Sequence, residues 1–274
     1  MPHALDIVLD EFKSDIGRVE NLLNITKLLR DFGASEPPIS EGDEPAWREG
    51  HCLHAEARNR RTDMPILSGS LLLYLAGRFE YCVKQIVESI ADEIVEKTDR
   101  FQNLPNLIQK KLKQNTLDIA QNPKKYGHDE VTSEVLLEQL ILNIRGDGQR
   151  LNVNSAVLSI TEANMRPSVL ADLLKIVGMG DFWREIGKQA NVKIALEKGI
   201  DQEAAAEAQS ILTTIMEDRN QIAHPTATTN FPDADQVLKL AGFLKVLAAN
   251  IVDLAKVHLT TYSSSLKPND AINN

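Results

Sequence analysis

The sequence has 274 residues, of which 43% are hydrophobic, 25% are charged and 5% are aromatic. The two cysteines exclude a disulfide-rich scaffold, and the scarcity of aromatic, Gly and Pro residues disfavours an all-β sandwich. The formal net charge of −9 argues against bulk coating by nucleic acid but is compatible with a small basic cleft. No stretch resembles a secretion signal or approaches the roughly 20 apolar residues of a membrane span, so we predict a cytoplasmic protein without membrane contact.

The N-terminal third is predicted to contain two long helices separated by a loop. Apolar residues at helical spacing predict the first helix over residues 6–32, with Gly33 as its stop signal. Residues 34–65 are rich in Pro, Gly and charge, which indicates a long surface loop. The second helix, over residues 68–97, has one continuous apolar stripe.

The middle of the chain has a weaker pattern, and we interpret residues 100–166 as a partly helical insertion. Short helices are predicted near residues 104–113 and 131–144. Alternating polarity at Leu151 and Val153 is also compatible with a short strand, although an isolated strand has no obvious partner.

The C-terminal part again predicts helices. One begins at Pro167 and ends at Gly178, the second begins after Asp181 as its N-cap and ends at residues 198–199, and the third covers residues 201–224. The last helix is predicted over residues 233–261, with the apolar seam expected for helix packing. We therefore predict an all-α helical bundle divided as follows: N-terminal helix 1–33, loop 34–65, helical domain 66–262 with its insertion at 100–166, and tail 263–274.

The segment near the end of the third of these helices is the most informative for function. Arg219 falls within its apolar stripe, where a guanidinium group rarely lies without a partner. We therefore expect Arg219 to face a carboxylate, a cleft or another subunit. Asn220 and His224 are four residues apart and share the adjacent face of the helix. Arginine, amide and imidazole are thus predicted to converge on one rim.

The sequence Arg-Asn-Gln-Ile-Ala-His at residues 219–224 resembles the motif of the HEPN domains, within them the RiboL-PSP-HEPN type. Leu-Tyr-Leu-Ala-Gly-Arg-Phe-Glu at 73–80 and the helix after Phe-Pro at 231–232 are similar to other elements of that family. The resemblance covers residues 65–257, with Pro225 at a position where the family usually has Gly.

This resemblance implies an all-α bundle of the HEPN type and a homodimer whose two motifs face each other across a cleft. It also implies metal-independent endoribonuclease activity on an RNA substrate. Members of the family act as toxins or antiviral defence effectors, so the resemblance further implies an antitoxin or defence-system protein as a partner.

The residue types at this rim suit RNA cleavage without a metal. Imidazole titrates near neutral pH, so His224 is a candidate general base or acid. The guanidinium of Arg219 would stabilise charge on the phosphate, and Asn220 would orient the phosphate or the imidazole. The alternative is that Arg219 pairs with a buried glutamate and His224 merely ends the helix.

Further candidate residues lie upstream. Glu80 is a candidate supporting carboxylate, with a merely structural or solvated acid as the alternative. The densest arginine group and one arginine on the second helix are candidates for RNA binding: Arg58, Arg60, Arg61 and Arg78. A second basic run follows at residues 110–125. For each basic group, a solvated charged surface is the alternative.

We predict no cofactor and no metal site. The run His51-Cys52-Leu53-His54 offers three soft ligands, but no second pair of ligands completes a zinc site. Two functions therefore compete: a metal-independent endoribonuclease that uses 2′-hydroxyl attack, and a non-catalytic dimeric helical module that binds nucleotide, RNA or a partner protein. The presence of both Arg219 and His224 favours the nuclease, because a scaffold needs neither.

Overall fold

The computed structural model of the chain describes residues 3–39, 47–146, 150–161 and 163–265. Within these residues the regular secondary structure is helical and contains no strand, so the predicted all-α fold class is confirmed. The helices are α1 (Ala4–Ala34), α2 (Arg48–Asn59), α3 (Met64–Glu96), α4 (Asn106–Gln121), α5 (Glu130–Arg145), α6 (Pro167–Ile176), α7 (Phe182–Gly187), α8 (Ala190–Ala195), α9 (Asp201–Ala223) and α10 (Ala234–Ser265).

The four longest predicted helices correspond to α1, α3, α9 and α10, with ends that differ by a few residues. Their apolar stripes supply most of the buried side chains. The start of α10 shows a reciprocal capping box, since Asp233 Oδ1 accepts from the Gln236 backbone N–H at 2.8 Å while Gln236 Oε1 accepts from that of Asp233 at 2.9 Å. Each contact satisfies a donor that the first helical turn leaves open.

The predicted loop at residues 34–65 is wrong in part, because it contains α2. Its register is fixed by close packing on the end of α1, where a side chain on Gly33 would lie 2.6 Å from the Ala57 backbone. His54 is buried, approaches the carbonyl oxygen of Ser35 at 3.0 Å and packs edge-on against Phe32. Of the Pro and Gly residues that predicted a loop, Pro37 and Pro38 precede this short helix, whereas Gly50 lies in its first turn. Residues 40–46 lie outside the described residues.

Two finer predictions are also wrong. The single helix expected over residues 181–199 is two short helices, α7 and α8. Asp181 stands before α7 with φ 53°, and its side chain pairs with Arg184 at 3.0 Å instead of capping the helix. The strand considered at Leu151 and Val153 is irregular backbone that leads into a 3₁₀ turn at Ser155–Ser159.

The chain forms two compact units, each assembled from segments that are distant in sequence. The first unit combines residues 1–10, 80–212 and 246–274, and the second combines residues 11–79 and 213–245. The predicted division at residues 33, 65 and 262 follows the chain and stays a prediction.

Each unit has its own apolar core. In the second unit, the rings of Phe12 and Phe79 lie 5.9 Å apart between α1 and α3. Burying one such large apolar side chain stabilises a fold by about 1.5–3 kcal/mol. Other fully buried residues of the second unit are Ile16, Leu23, Leu72, Leu75, Ile215, Val237 and Leu244, and those of the first unit include Ile86, Ile90, Ile94, Ile108, Leu170, Leu174 and Ile251.

Among the described residues, α3 is the one helix that is long and apolar enough to cross a membrane by length and composition. Of its most apolar window, 44% is buried inside the structure. A core helix of a water-soluble protein has the same composition, so a single helix of this kind is weak support for a membrane span. Cytoplasmic location stays a prediction.

Candidate active site

The predicted motif lies at the C-terminal end of α9. Arg219 and Asn220 belong to its last turns, and His224 directly follows its final residue, Ala223. The backbone N–H of His224 donates to the carbonyl oxygen of Asn220 at 3.1 Å, so the helical hydrogen-bond pattern extends to His224. Its imidazole is exposed at the point where Pro225 ends the helix.

The guanidinium group of Arg219 is half-buried and contacts an amide. Its Nη1 donates to Oδ1 of Asn220 at 3.2 Å, so the predicted convergence of these two side chains is observed. Within the part of the chain that the structure describes, no carboxylate lies at ion-pair distance from Arg219. The alternative that pairs Arg219 with a buried glutamate therefore has no support from these residues.

Asp218 precedes Arg219 and was not predicted as part of the site. It is half-buried, and burial, reinforced by the neighbouring charge of Glu217, raises the pKa of its carboxyl group. An ion pair with arginine has the opposite effect on a carboxyl pKa. In agreement with this direction, Asp218 forms no ion pair with Arg219 within the described residues. Its helical spacing from Ile211, Ile215 and Ile222 was the signal in the sequence that it lies on the apolar stripe.

The loop after His224 is held by local hydrogen bonds. The backbone N–H of Thr226 donates to Oγ1 of Thr229 at 2.7 Å, and the backbone N–H of Thr229 donates to the Thr226 carbonyl at 3.1 Å. Pro232 is buried, and the capping box at Asp233 follows directly. These contacts restrict the backbone that follows the imidazole.

A glycine on α3 makes room for this loop. A Cβ atom added to Gly69 would lie 2.7 Å from Cδ1 of Phe231 and 3.4 Å from Cδ1 of Ile222. The absence of a side chain at Gly69 thus permits close packing of α3 against both the motif helix and the loop. This contact could not be predicted from the sequence, because Gly69 lies within a helical pattern where a glycine has no local role.

Glu80, the predicted supporting carboxylate, pairs with a lysine of its own helix. Glu80 Oε1 lies 2.9 Å from Nζ of Lys84, one turn further along α3. Glu80 belongs to the first unit, whereas Arg219 belongs to the second. A role for Glu80 in the active site stays a prediction.

Arg78, a candidate for RNA binding, is bound by two carboxylates. Its Nε donates to Oδ2 of Asp15 at 2.5 Å and its Nη2 to Oε1 of Glu11 at 2.6 Å. Asp15 is 2% exposed and also accepts from the hydroxyl of Tyr74 at 3.1 Å and from Arg18 at 3.1 Å. The guanidinium of Arg78 thus links α1 to α3.

The other candidate arginines lie at the end of α2. Arg58, Arg60 and Arg61 are all exposed, and Nε of Arg60 contacts Glu56 at 3.0 Å. Exposed ion pairs of this kind contribute little to stability, so these side chains are accessible to a polyanion. Their role in RNA binding stays a prediction.

Within the described residues, no group of three or more His, Cys, Asp or Glu side chains is arranged to hold a metal ion. In the run at residues 51–54, His54 is buried against Ser35 whereas Cys52 is exposed. Cys52 and His54 therefore have different surroundings.

The geometry places a half-buried guanidinium group and an exposed imidazole at the same helix end. A guanidinium group that has no carboxylate partner binds phosphate oxygens through parallel N–H groups, and an exposed imidazole can exchange protons with a bound hydroxyl. The arrangement can therefore support acid–base chemistry on a phosphodiester.

The comparison with protein families agrees with this chemistry. The sequence matches the RiboL-PSP-HEPN family over residues 20–257, which is most of the chain. HEPN families generally include ribonucleases, which links the chain to an RNA-related function. No curated protein and no solved structure matches the sequence. The match over residues 20–257 establishes that the chain belongs to the RiboL-PSP-HEPN family.

Proposed function

We propose that this protein is a metal-independent endoribonuclease whose active site contains Arg219, Asn220 and His224. One observation carries the proposal: Arg219 is half-buried without a carboxylate partner among the described residues, at the same helix end as an exposed imidazole. A structural arginine in that position needs a counter-charge. A phosphate group of RNA supplies one.

The proposed reaction uses the RNA's own 2′-hydroxyl as nucleophile. The imidazole of His224 removes the 2′-hydroxyl proton, O2′ forms a bond to phosphorus, and the bond from phosphorus to O5′ breaks. A protonated imidazole returns a proton to O5′. The products are a 2′,3′-cyclic phosphate and a 5′-hydroxyl, with no water consumed in this step. Arg219 stabilises the charge on the phosphoryl oxygens, and the amide of Asn220 holds the guanidinium in place.

We further propose that the active form is a homodimer. One chain supplies one His224, while the reaction uses a base at O2′ and an acid at O5′. Two copies related by a twofold axis would provide both groups in one cleft. Light scattering at micromolar concentration should give the mass of a dimer. A monomer with full cleavage activity would contradict this part of the proposal.

The decisive experiment uses purified protein, mixed RNA and a chelator. We expect fragmentation in EDTA and 2′,3′-cyclic phosphate ends by mass spectrometry. A single 2′-deoxy substitution at the cut position should abolish cleavage there, because it removes the nucleophile. Fragments with a 3′-hydroxyl and a 5′-phosphate, or activity only with added magnesium, would contradict the mechanism. Binding without cleavage would favour the alternative, a non-catalytic helical module.

We also propose a cytoplasmic role as a toxin or antiviral effector, restrained by an antitoxin or another defence-system protein. Induced expression in a bacterial host should arrest growth and fragment cellular RNA, whereas the His224→Ala variant should not. Equal toxicity of the parent and this variant would contradict the role. An inhibitory protein would be recognised by its recovery with the tagged His224→Ala variant and by its suppression of cleavage in vitro.

A further inference from the structure

An open groove in the first unit, remote in sequence from the motif, combines an aromatic wall with two cations. It has a volume of about 640 Å³ and lies between α7 and the beginning of α9. Specific ligand sites commonly have volumes of about 300–1,000 Å³. The residues used below are Trp183, Arg184, Lys188, Asp201, Ala205 and Ala206, all of which line it.

The indole ring of Trp183 is held in one position. Its Nε1–H donates to the carbonyl oxygen of Pro167 at 3.0 Å, and its ring packs edge-on against Phe182 at 4.9 Å. Because the polar end of the indole is already bonded, the part of the ring that lines the groove is apolar. The small side chains of Ala205 and Ala206 on α9 leave space beside it. The groove thus presents a preformed surface for a flat ring.

Two cations stand at the rim beside this surface. The side chains of Arg184 and Lys188 are 67% and 46% exposed, and both contact Glu185, at 3.3 Å and 2.7 Å. Arg184 also pairs with the exposed Asp181 at 3.0 Å. Exposed pairs of this kind are weak, so an incoming phosphate can replace these carboxylates. The one carboxylate that lines the groove, Asp201, is bound to Lys193 at 2.8 Å. Its charge is therefore compensated from outside the groove.

We propose that this groove binds a nucleotide unit of single-stranded RNA, with a base stacked on Trp183 and the backbone phosphate on Arg184 and Lys188. Stacking on an aromatic side chain next to cations is the usual basis of single-strand binding without sequence preference. An apolar protein segment would use the apolar wall but not the two cations. The inference rests on the proposed function for the class of its ligand, RNA.

The chain's tryptophan content allows a direct test. Only two tryptophans are present, Trp47 and Trp183, so Trp47→Phe leaves Trp183 as the single indole fluorophore. This variant should be titrated in EDTA with a 2′-O-methyl oligonucleotide, which lacks the nucleophile for cleavage. We expect saturable quenching of Trp183 fluorescence as bases stack on the ring. Full binding of the same labelled oligonucleotide without any quenching would overturn the proposal.

Substitutions then separate stacking from charge, with binding followed by anisotropy of the labelled oligonucleotide. Trp183→Leu should weaken binding by roughly 5- to 150-fold, the range found when a stacking side chain is removed, whereas Trp47→Leu should not. Arg184→Gln with Lys188→Gln should lower the slope of log affinity against log salt by about 0.7, because one phosphate loses both of its cations. The matched control is Lys175→Gln with Arg166→Gln, which removes two exposed charges outside the groove and should leave the slope unchanged.

If Trp183→Leu does not fold, Ala206→Glu tests the same surface, because Ala206 is exposed and a carboxylate there would repel phosphate. Unchanged affinity in the folded groove variants would overturn the proposal, as would quenching by an apolar helical peptide but not by RNA. Cleavage is measured separately on unmodified RNA. Cleavage without groove binding contradicts only this inference, and groove binding without cleavage contradicts only the proposed nuclease.

Discussion

Two half-buried arginines in the second unit have opposite surroundings. Arg78 on α3 is bound by Asp15 and Glu11, whereas Arg219 on α9 contacts the amide of Asn220. Both fall on apolar stripes, so their positions in the sequence look alike. The difference shows that burial alone does not identify a functional arginine. The partner of the guanidinium group distinguishes the two roles. A guanidinium that is paired with carboxylates holds helices together, whereas one without a carboxylate partner retains its affinity for an anion.

At the helix end that carries Arg219, the largest effect on the cleavage rate should come from His224→Ala. Loss of a general acid or base typically lowers the rate by about 10²–10⁴. The imidazole is exposed at a helix end, so the melting temperature should hardly change. The measurement is the initial rate of RNA cleavage beside a thermal melt. Gln221→Ala, an exposed neighbour on the same helix, is the control and should behave as the parent.

Around Arg78, which is paired with carboxylates, Asp15→Asn should destabilise the fold. Asp15 is 2% exposed and accepts hydrogen bonds from Arg78, Tyr74 and Arg18. Breaking a buried pair costs about 3–5 kcal/mol, and the lower end is expected here because Arg78 is partly exposed and keeps Glu11. Chemical denaturation measures the loss. The exposed carboxylate Asp253 supplies the control, Asp253→Asn, which should leave the unfolding midpoint nearly unchanged.

In contrast to Asp15→Asn, Arg219→Ala should lower the cleavage rate with little loss of stability. Removing one group that stabilises the transition state lowers the rate by about 10²–10³, while stability should change by less than about 1 kcal/mol, because no described carboxylate is left unpaired. Arg219→Lys keeps the charge but not the planar fork and should recover part of the rate. The exposed Arg48 provides the control substitution, Arg48→Ala. A large loss of stability in Arg219→Ala would mean that Arg219 is structural, like Arg78.

The sequence was sufficient to predict the long helices and the position of the motif. Both depend on local information: the apolar stripe of α9 fixes its face, and Pro225 fixes its end. The partners of Arg78 and Arg219 could not be predicted, because each arginine falls on an apolar stripe and only tertiary packing brings Asp15 to one of them. The short helix α2 was missed for a similar reason. Its stability comes from contact with α1 at Gly33 and not from a long periodic pattern.

The contact that supports the loop after His224 gives a smaller effect. In Gly69→Ala the new methyl group would lie 2.7 Å from the Phe231 ring, so the loop must shift. Overpacking of this kind costs about 1–3 kcal/mol, and cleavage should fall together with stability because the loop directly follows the imidazole. Gly77→Ala on the same helix is the matched control, since its new methyl group has nothing within 4 Å. That control should instead stabilise the protein by roughly 0.5–1 kcal/mol.

Phe231→Leu tests whether a clash with the Phe231 ring causes the effect of Gly69→Ala. If the clash with the ring produces the effect, then Gly69→Ala combined with Phe231→Leu should recover part of both the stability and the cleavage rate. If Gly69→Ala and Gly77→Ala raise the melting temperature equally, the close contact with Phe231 is not maintained in solution and does not position the loop.

The smallest expected effect concerns the charge next to Arg219. Burial, with a contribution from Glu217, raises the pKa of Asp218 in the folded protein. The folded state therefore binds this proton more readily than the unfolded chain, and the contribution of Asp218 to stability is lost as the pH rises through its folded pKa. Asp218→Asn removes this loss of stability, because an amide does not ionise. The variant should melt slightly above the parent at pH 7, and the difference should shrink as the pH falls toward about 4, near the pKa of an unperturbed Asp.

The sign of this difference tests the contrast between the two arginines. If Arg219 were compensated by Asp218 as Arg78 is by Asp15, the carboxylate would be favoured and Asp218→Asn would lower the melting temperature at pH 7. Glu217→Gln provides the internal control. Glu217 is exposed and raises the pKa of Asp218, so its neutralisation should stabilise the protein in the same direction at pH 7 by a smaller amount. Stabilisation in both variants would show that the adjacent carboxylate Asp218 is not the counter-charge of Arg219, in agreement with a phosphate of RNA as its partner.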